Sequence, residues 1–460
     1  MPYNSVTSCR RRRQRGRGSA LALPLALALA SAMASGQEAR LPVVRAKAGF
    51  TLEQARELAQ SVSVASVLKG GDVALYWTGH VSESMPTTVI PATRSASSLP
   101  YAQDSRIGQV RADSALGNLS LDEFLVDSRS YAQGFVVIHR GRIVYEQYPG
   151  MNPEDAHLWA SNAKPLASLV IDLLIDDGLL DPEQTYGHYM PDFRGTAWED
   201  IRILDLLDMT PGLDTEEDDS TRADPDSIAT RTFLAEFGEP NLQTGEQETV
   251  REVLKSARKV REPGTSFDYS SPVTQALVLL TEEVTQKRWA DVFNDRVWSH
   301  MAVEGGLQVH LAPDGLAAVH GVVSSRLRDM ARFGMLYTPS WRAVSDQPIV
   351  TDDIVQRIRQ GVRGEEFFMS GYDGPVFTQR LNAPILGSSR QWDAVFADGD
   401  FFKSGMFGQG LYVSPDRDLV VGFFSTTPDT GSIQRYLRPL VTSGLFDADV
   451  EQPHSNRFKK

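Results

Sequence analysis

Ser161 and Lys164 stand three residues apart in "HLWASNAKPLASLV" (157–170), just ahead of an apolar run of helical period. On a helix, positions i and i+3 share a face, so the Lys164 amine can reach the Ser161 hydroxyl. A serine hydroxyl is a poor nucleophile until a base takes its proton. A lysine serves as that base only when desolvation or a second cation lowers its pKa. Pro165 is tolerated only in a first helical turn, which sets Ser161 at a helix start. There, free backbone N–H groups and the positive end of the helix dipole favour developing negative charge. The chemistry this pattern points to is nucleophilic catalysis by a serine that a lysine activates.

The spacing alone is not specific, because Ser66 with Lys69 and Ser256 with Lys259 repeat it. Only Ser161 precedes a buried-looking helix, with Leu166, Leu169, Val170, Leu173 and Leu174 at helical spacing and Gly178 as its C-cap. Other nucleophilic arrangements fare worse. The Gly-x-Ser-x-Gly elbow is absent, the eight histidines are scattered, and His157 reads as a satisfied core or loop histidine. Two further stretches carry chemistry. "PGTSFDYSS" sets Tyr269-Ser270-Ser271 on a turn, and "FFKSGMFGQG" sets Lys403-Ser404-Gly405 on a late strand with glycines behind it.

The elements that must position these residues follow from periodicity. "GFVVIHRGRIVYEQYPG" (134–150) reads as a hairpin turning at Arg140-Gly141. Residues 162–340 are mostly helical in pattern. After about residue 392 strands return in "WDAVFADGDFFKSG", "GQGLYVSP" and "DLVVGFFSTT", and "SIQRYLRPLVTSGLF" reads as a closing helix. Residues 37–115 form a lead-in with one amphipathic helix, "TLEQARELAQSVSVASVLK". The expected fold class is α/β of the α+β type: an antiparallel sheet flanked by helices, plus an inserted helical sub-domain at about 162–340. The site belongs in the cleft between them.

Residues 1–36 join an arginine-rich start to an apolar stretch and small residues, the pattern of a cleaved signal peptide. The apolar run is too short to span a bilayer. Without its six arginines the remainder holds 40 basic against 59 acidic side chains, or −19, and no cysteine. Such a chain is no electrostatic nucleic-acid binder and has neither disulfides nor a zinc–thiolate site. The expectation is a periplasmic or secreted bacterial protein with no stable membrane span. A hydrolase domain would cover 116–448, and residues 449–460 would be a tail.

With Ser161/Lys164, Tyr269 and Lys403-Ser404-Gly405 in this order, the chain resembles the serine β-lactamase and penicillin-binding-protein superfamily. It is most similar to the class C β-lactamase and esterase branch, and within it to the 6-aminohexanoate-dimer (nylon-oligomer) hydrolases. "GRIVYEQY", "ILDLLDMTPGLD", "VVSSRLRDMARFGML" and "SRQWDAVF" extend the likeness over about residues 80–445. The resemblance implies a β-lactamase/transpeptidase-like fold and a serine hydrolase acting on a small-molecule or short-peptide substrate, with neither metal nor cofactor. It implies that Ser161 is acylated, that Lys164 and Tyr269 share its proton, and that Lys403 keeps both in reactive ionisation states. Two lysines and a tyrosine in one cleft are expected to depress one another's proton affinities. The oxyanion hole would be the N–H groups of Ser161 and Met406. Ser271, Ser404, Gly405, Gly408 and Gln409 would bind substrate.

Two departures stand out. Ser271 occupies the place where β-lactamases carry asparagine, which argues against strong β-lactamase activity. No tyrosine lies between Tyr189 and Tyr269; that loop carries Glu216, Glu217, Asp218 and Asp219, an acidic lid suited to cationic substrates. The alternatives are a β-lactamase or D-alanyl carboxypeptidase, and a non-catalytic ligand-binding protein of the same fold.

Overall fold

The computed structural model describes residues 40–447, so the signal-peptide expectation and the tail lie outside the described residues. From Pro42 onward the described chain forms one compact unit.

Strands β1 (Thr87–Ile90), β2 (Arg111–Ser114) and β3 (Gly117–Ser120) precede the predicted hairpin, β4 (Ala132–His139) and β5 (Arg142–Gln147). Arg140 and Gly141 turn that hairpin with φ of 49° and 71°, the left-handed pair that a tight hairpin needs. Then come β6 (His157–Leu158), β7 (Leu307–His310), β8 (Val323–Ser325), β9 (Gly387–Ser389), β10 (Trp392–Val395), β11 (Phe401–Gly405), β12 (Gln409–Ser414) and β13 (Leu419–Ser425). The main sheet is antiparallel throughout, ordered β5-β4-β13-β12-β11-β10-β9.

Both faces of this sheet are covered, which explains its unbroken apolar strands. Along β4, Val136 and Ile138 join one core with Leu327, Met330 and Ala331 of the helix Leu327–Met335. Phe135 and Val137 join another with Phe124, Ile433, Leu437 and Leu440. Alternation sends successive residues to opposite faces, and burying each such side chain is worth roughly 1.5–3 kcal/mol.

The fold class is as expected, with local differences. The region 162–340 is not wholly helical: β7 and β8 join β1 and β6 in a second antiparallel sheet ordered β1-β7-β8-β6. These strands are only four and three residues long, too short for their alternation to stand out. The lead-in helix breaks into Leu52–Gln60 and Val64–Lys69, because Ser63 caps the second piece in a reciprocal box with Ser66. The closing helix is likewise two pieces, Gly431–Gln434 and Leu437–Val441. Among the described residues no helix is long and apolar enough to cross a membrane.

Candidate active site

Strand β6 delivers the chain to Ser161. Trp159 N donates to Val323 O at 2.8 Å and its indole to Ser325 Oγ at 2.9 Å, so the second sheet fixes the approach. Ala160 then takes a left-handed φ of 48°, a strained setting for a residue with a Cβ. A short 3₁₀ turn, Ala160–Ala163, carries Ser161 into the buried helix Lys164–Asp176, with Pro165 in its first turn.

Lys164 is fully buried. Its Nζ donates to Ser161 Oγ at 3.4 Å, to Ser271 Oγ at 2.8 Å and to the His320 carbonyl at 2.8 Å. Burial lowers its pKa to about 7; the Glu217 carboxylate pulls upward and the Lys403 cation downward. A lysine so placed is substantially neutral near pH 7, as a general base must be.

Tyr269 lies between the two lysines, its ring centroid 5.1 Å from Lys164 Nζ and 4.6 Å from Lys403 Nζ. Lys403 Nζ donates to the Tyr269 hydroxyl at 3.4 Å. The expected mutual depression fails for the phenol. Burial, with the Asp393 and Glu217 charges, pushes Tyr269 well above its ordinary pKa, against the smaller downward pull of Ser161 and Arg222. Tyr269 is therefore a neutral phenol, whereas Lys164 is held near neutrality. Lys403 is also lowered, by burial acting against the attraction of Asp393.

Asp393, which the motifs did not single out, anchors the third element. Lys403 Nζ pairs with its Oδ1, while Ser404 N and Oγ donate to Oδ2 at 2.8 and 2.5 Å. The signal lay in the strand register: Ala394 faces Phe402 and Val395 faces Phe401, which sets Asp393 opposite Lys403.

Glu217 was also missed as an individual. Burial favours its neutral form, but Arg222, Lys164 and the Ser271 hydroxyl together outweigh that and hold it at about 2. Ser271 Oγ donates to Glu217 while accepting from Lys164. Ser271, expected to bind substrate, lines the cleft, and its hydroxyl bridges Lys164 and the Glu217 carboxylate. The loop is not a uniformly acidic lid, since Glu217 turns inward and Arg222 pairs with it at 2.9 Å.

The cleft is lined by Ser161, Tyr269, Ser271, Ser404, Gly405 and Met406, among others. Gly405 must be glycine, for a Cβ there would come within 3.0 Å of Asn162, Gln409 and Ala160. Two expected substrate contacts are elsewhere. The Gln409 side chain is buried, donating to Ser425 O at 2.6 Å and accepting from Ser425 N at 2.8 Å, so it clips β12 to β13. Gly408 is not among the residues that line the cleft, and a Cβ on it would meet Thr427 at 2.8 Å. His157 is structural, bonded to Gln133 and the Leu158 carbonyl and lowered by burial to about 4. Ser256 ends the helix Val250–Lys255. Tyr372 and Asp373, which the motifs also missed, line the cleft as well. Asp373 is 7% exposed, one carboxyl oxygen has no hydrogen-bond partner, and burial beside Glu216 and Glu217 raises it to about 8.

Residues 129–445 match the Beta-lactamase family model. A 6-aminohexanoate-dimer hydrolase of Paenarthrobacter ureafaciens is 27% identical over 298 residues, covering 64% of this chain and 72% of that protein. A protein of Bacillus anthracis, described as a candidate 6-aminohexanoate-dimer hydrolase, superposes with a TM-score of 0.68 at 22% identity, covering 83% of this chain and 96% of its own. The hydrolase EstCE1, described as having promiscuous acyltransferase activity, gives 0.49 at 18% identity, over 68% and 93%. With a match spanning most of its length, the chain belongs to the β-lactamase family of serine hydrolases.

Proposed function

We propose that this protein cleaves ester or amide bonds of small molecules or short oligomers through an acyl-enzyme on Ser161. Neutral Lys164 takes the Ser161 proton as Oγ attacks the substrate carbonyl carbon. The carbonyl π electrons move to its oxygen, where the N–H groups of Ser161 and Met406 receive the charge. On collapse the carbon–leaving-group bond breaks. The Tyr269 hydroxyl hands its proton to the departing atom and is reprotonated from Lys164. Water then repeats the sequence on the acyl-enzyme, and no step calls for a metal or cofactor.

The observation that carries this reading is the contact of a fully buried lysine, with a pKa near neutrality, on the hydroxyl of Ser161. Ser271, engaged on both sides by Lys164 and Glu217, supports esters and simple amides over β-lactams. The basic and apolar start of the sequence supports export.

Incubation with p-nitrophenyl butyrate or a fluorophosphonate, followed by intact-mass measurement, tests the nucleophile. The adduct mass is expected on wild type and not on Ser161→Ala; a label on both, or on neither, overturns the assignment. Lys164→Ala should lower kcat/KM by about 10²–10⁴-fold, the usual loss for a general base.

A further inference from the structure

The cleft has two unlike walls. On one, the helix Asp373–Leu381 brings Asp373 and Arg380 to the cleft beside Tyr372, Val376 and Phe377. The other is apolar, and much of it comes from residues 64–77, upstream of the span matched to the family. Val64 and Val67 are buried on the helix Val64–Lys69, and Trp77 is buried on Gly71–His80. Leu68 also lines the cleft, half-buried. Phe233 and Phe237 complete the wall, with the Phe237 ring 5.6 Å from that of Trp77. One polar pair interrupts it, His320 with Glu236 at 2.7 Å.

We propose that Val64, Val67, Leu68 and Trp77, with Phe233 and Phe237, form a subsite for the linear aliphatic chain of the acyl group. This rests on the hydrolase reading above and adds the substrate class.

Packing fixes which half of the substrate faces this wall. Val67 and Trp77 share a cluster with Ala160, and Met406 packs against it. Ala160 precedes Ser161, and Met406 itself carries the second N–H assigned to the oxyanion. Gly70 seats the same segment against the turn at Met406–Gly408, since a Cβ there would meet the Phe407 ring at 3.1 Å. Tyr269, the donor to the leaving group, belongs instead to the cluster containing Phe377, 5.8 Å between rings. Phe377 stands on the helix Asp373–Leu381, which carries the charged wall. A carbonyl carbon at Ser161 therefore has its leaving group toward the charged side and its acyl chain toward the apolar one. A chain lying there leaves water, whereas a polar acyl group would lose hydration without partners.

The test is kcat/KM for p-nitrophenyl acetate, butyrate and hexanoate, in which the leaving group is constant. Wild type should gain about fourfold for each added methylene, equivalent to about 0.8 kcal/mol of burial. Val67→Asp should cut the hexanoate-to-acetate ratio at least tenfold. Leu68→Trp, at a half-buried position and therefore tolerant of substitution, should do so too by filling the subsite. Thermal melts identify any variant that has not folded. Tyr372→Ala, on the other wall, should keep the wild-type ratio. A flat wild-type profile, or a ratio that Leu68→Trp leaves unchanged, overturns the subsite while Ser161 still acylates. Failure of every ester to label Ser161 in the wild type overturns the hydrolase reading itself, so the two failures are told apart.

Discussion

At the scale of single residues, the proposed mechanism turns on where Lys164 keeps its proton. Its amine must be neutral to act, so kcat/KM is expected to rise with pH and level off above about 7. Glu217 pulls that pKa upward. Removing the charge in Glu217→Gln should therefore move the rising limb to lower pH, and a limb that stays in place or moves up would contradict the assignment. The motif residues were legible because each reads locally: serine and lysine one helical turn apart, a tyrosine after Pro-Gly, a lysine before Ser-Gly. The raised Tyr269 pKa was not legible. It depends on burial beside Asp393 and Glu217, neither of which adjoins Tyr269 in sequence.

At the scale of elements, the hairpin β10–β11 holds a buried ion pair, Asp393 with Lys403. Removing one partner strands a buried charge, so Asp393→Ala should cost about 3–5 kcal/mol in urea unfolding. A loss below 1 kcal/mol would show the pair to be dispensable. Asp373 gives a prediction of opposite sign. Its folded pKa is raised to about 8 by burial and the neighbouring carboxylates. The folded state thus holds a proton that the unfolded chain releases near pH 4, and stability falls as pH rises between those values. Asp373→Asn abolishes that loss, so its Tm advantage over wild type should grow from pH 4.5 to pH 8.5. Helix Lys164–Asp176, the hairpin β4–β5 and strands β12 and β13 were read correctly because their apolar runs are long, whereas β10 and β11 were read as one stretch and β9 was missed. Strands β7 and β8 were missed too, and the lead-in helix was drawn too long, across Ser63, which caps its second piece. A capping box needs only two serines three apart, a weak mark inside a helical pattern.

At the scale of the whole molecule, the described chain from Pro42 onward forms one unit, and segments far apart in sequence meet at one cleft. Activity and tryptophan fluorescence should therefore be lost at the same urea concentration, and an earlier loss of activity would mean that the site opens on its own. Deleting residues 1–80 is expected to lower solubility, because Leu158 and Val322 would lose their packing against Val67 and Trp77. The order of the main sheet was only partly legible. Alternation shows which residues form strands but not which distant strand each one joins.

That order has a consequence for the newly made chain. Strand β4 finds its inner neighbour in β13, nearly three hundred positions downstream. The serine's surroundings are completed only when β11 and β12 settle beside that partner. Until β13 has left the ribosome, the strands that carry and flank Lys403 lack the neighbour that ties them to β4. Closing the main sheet and assembling the cleft are thus expected to be one late event in the folding of this chain.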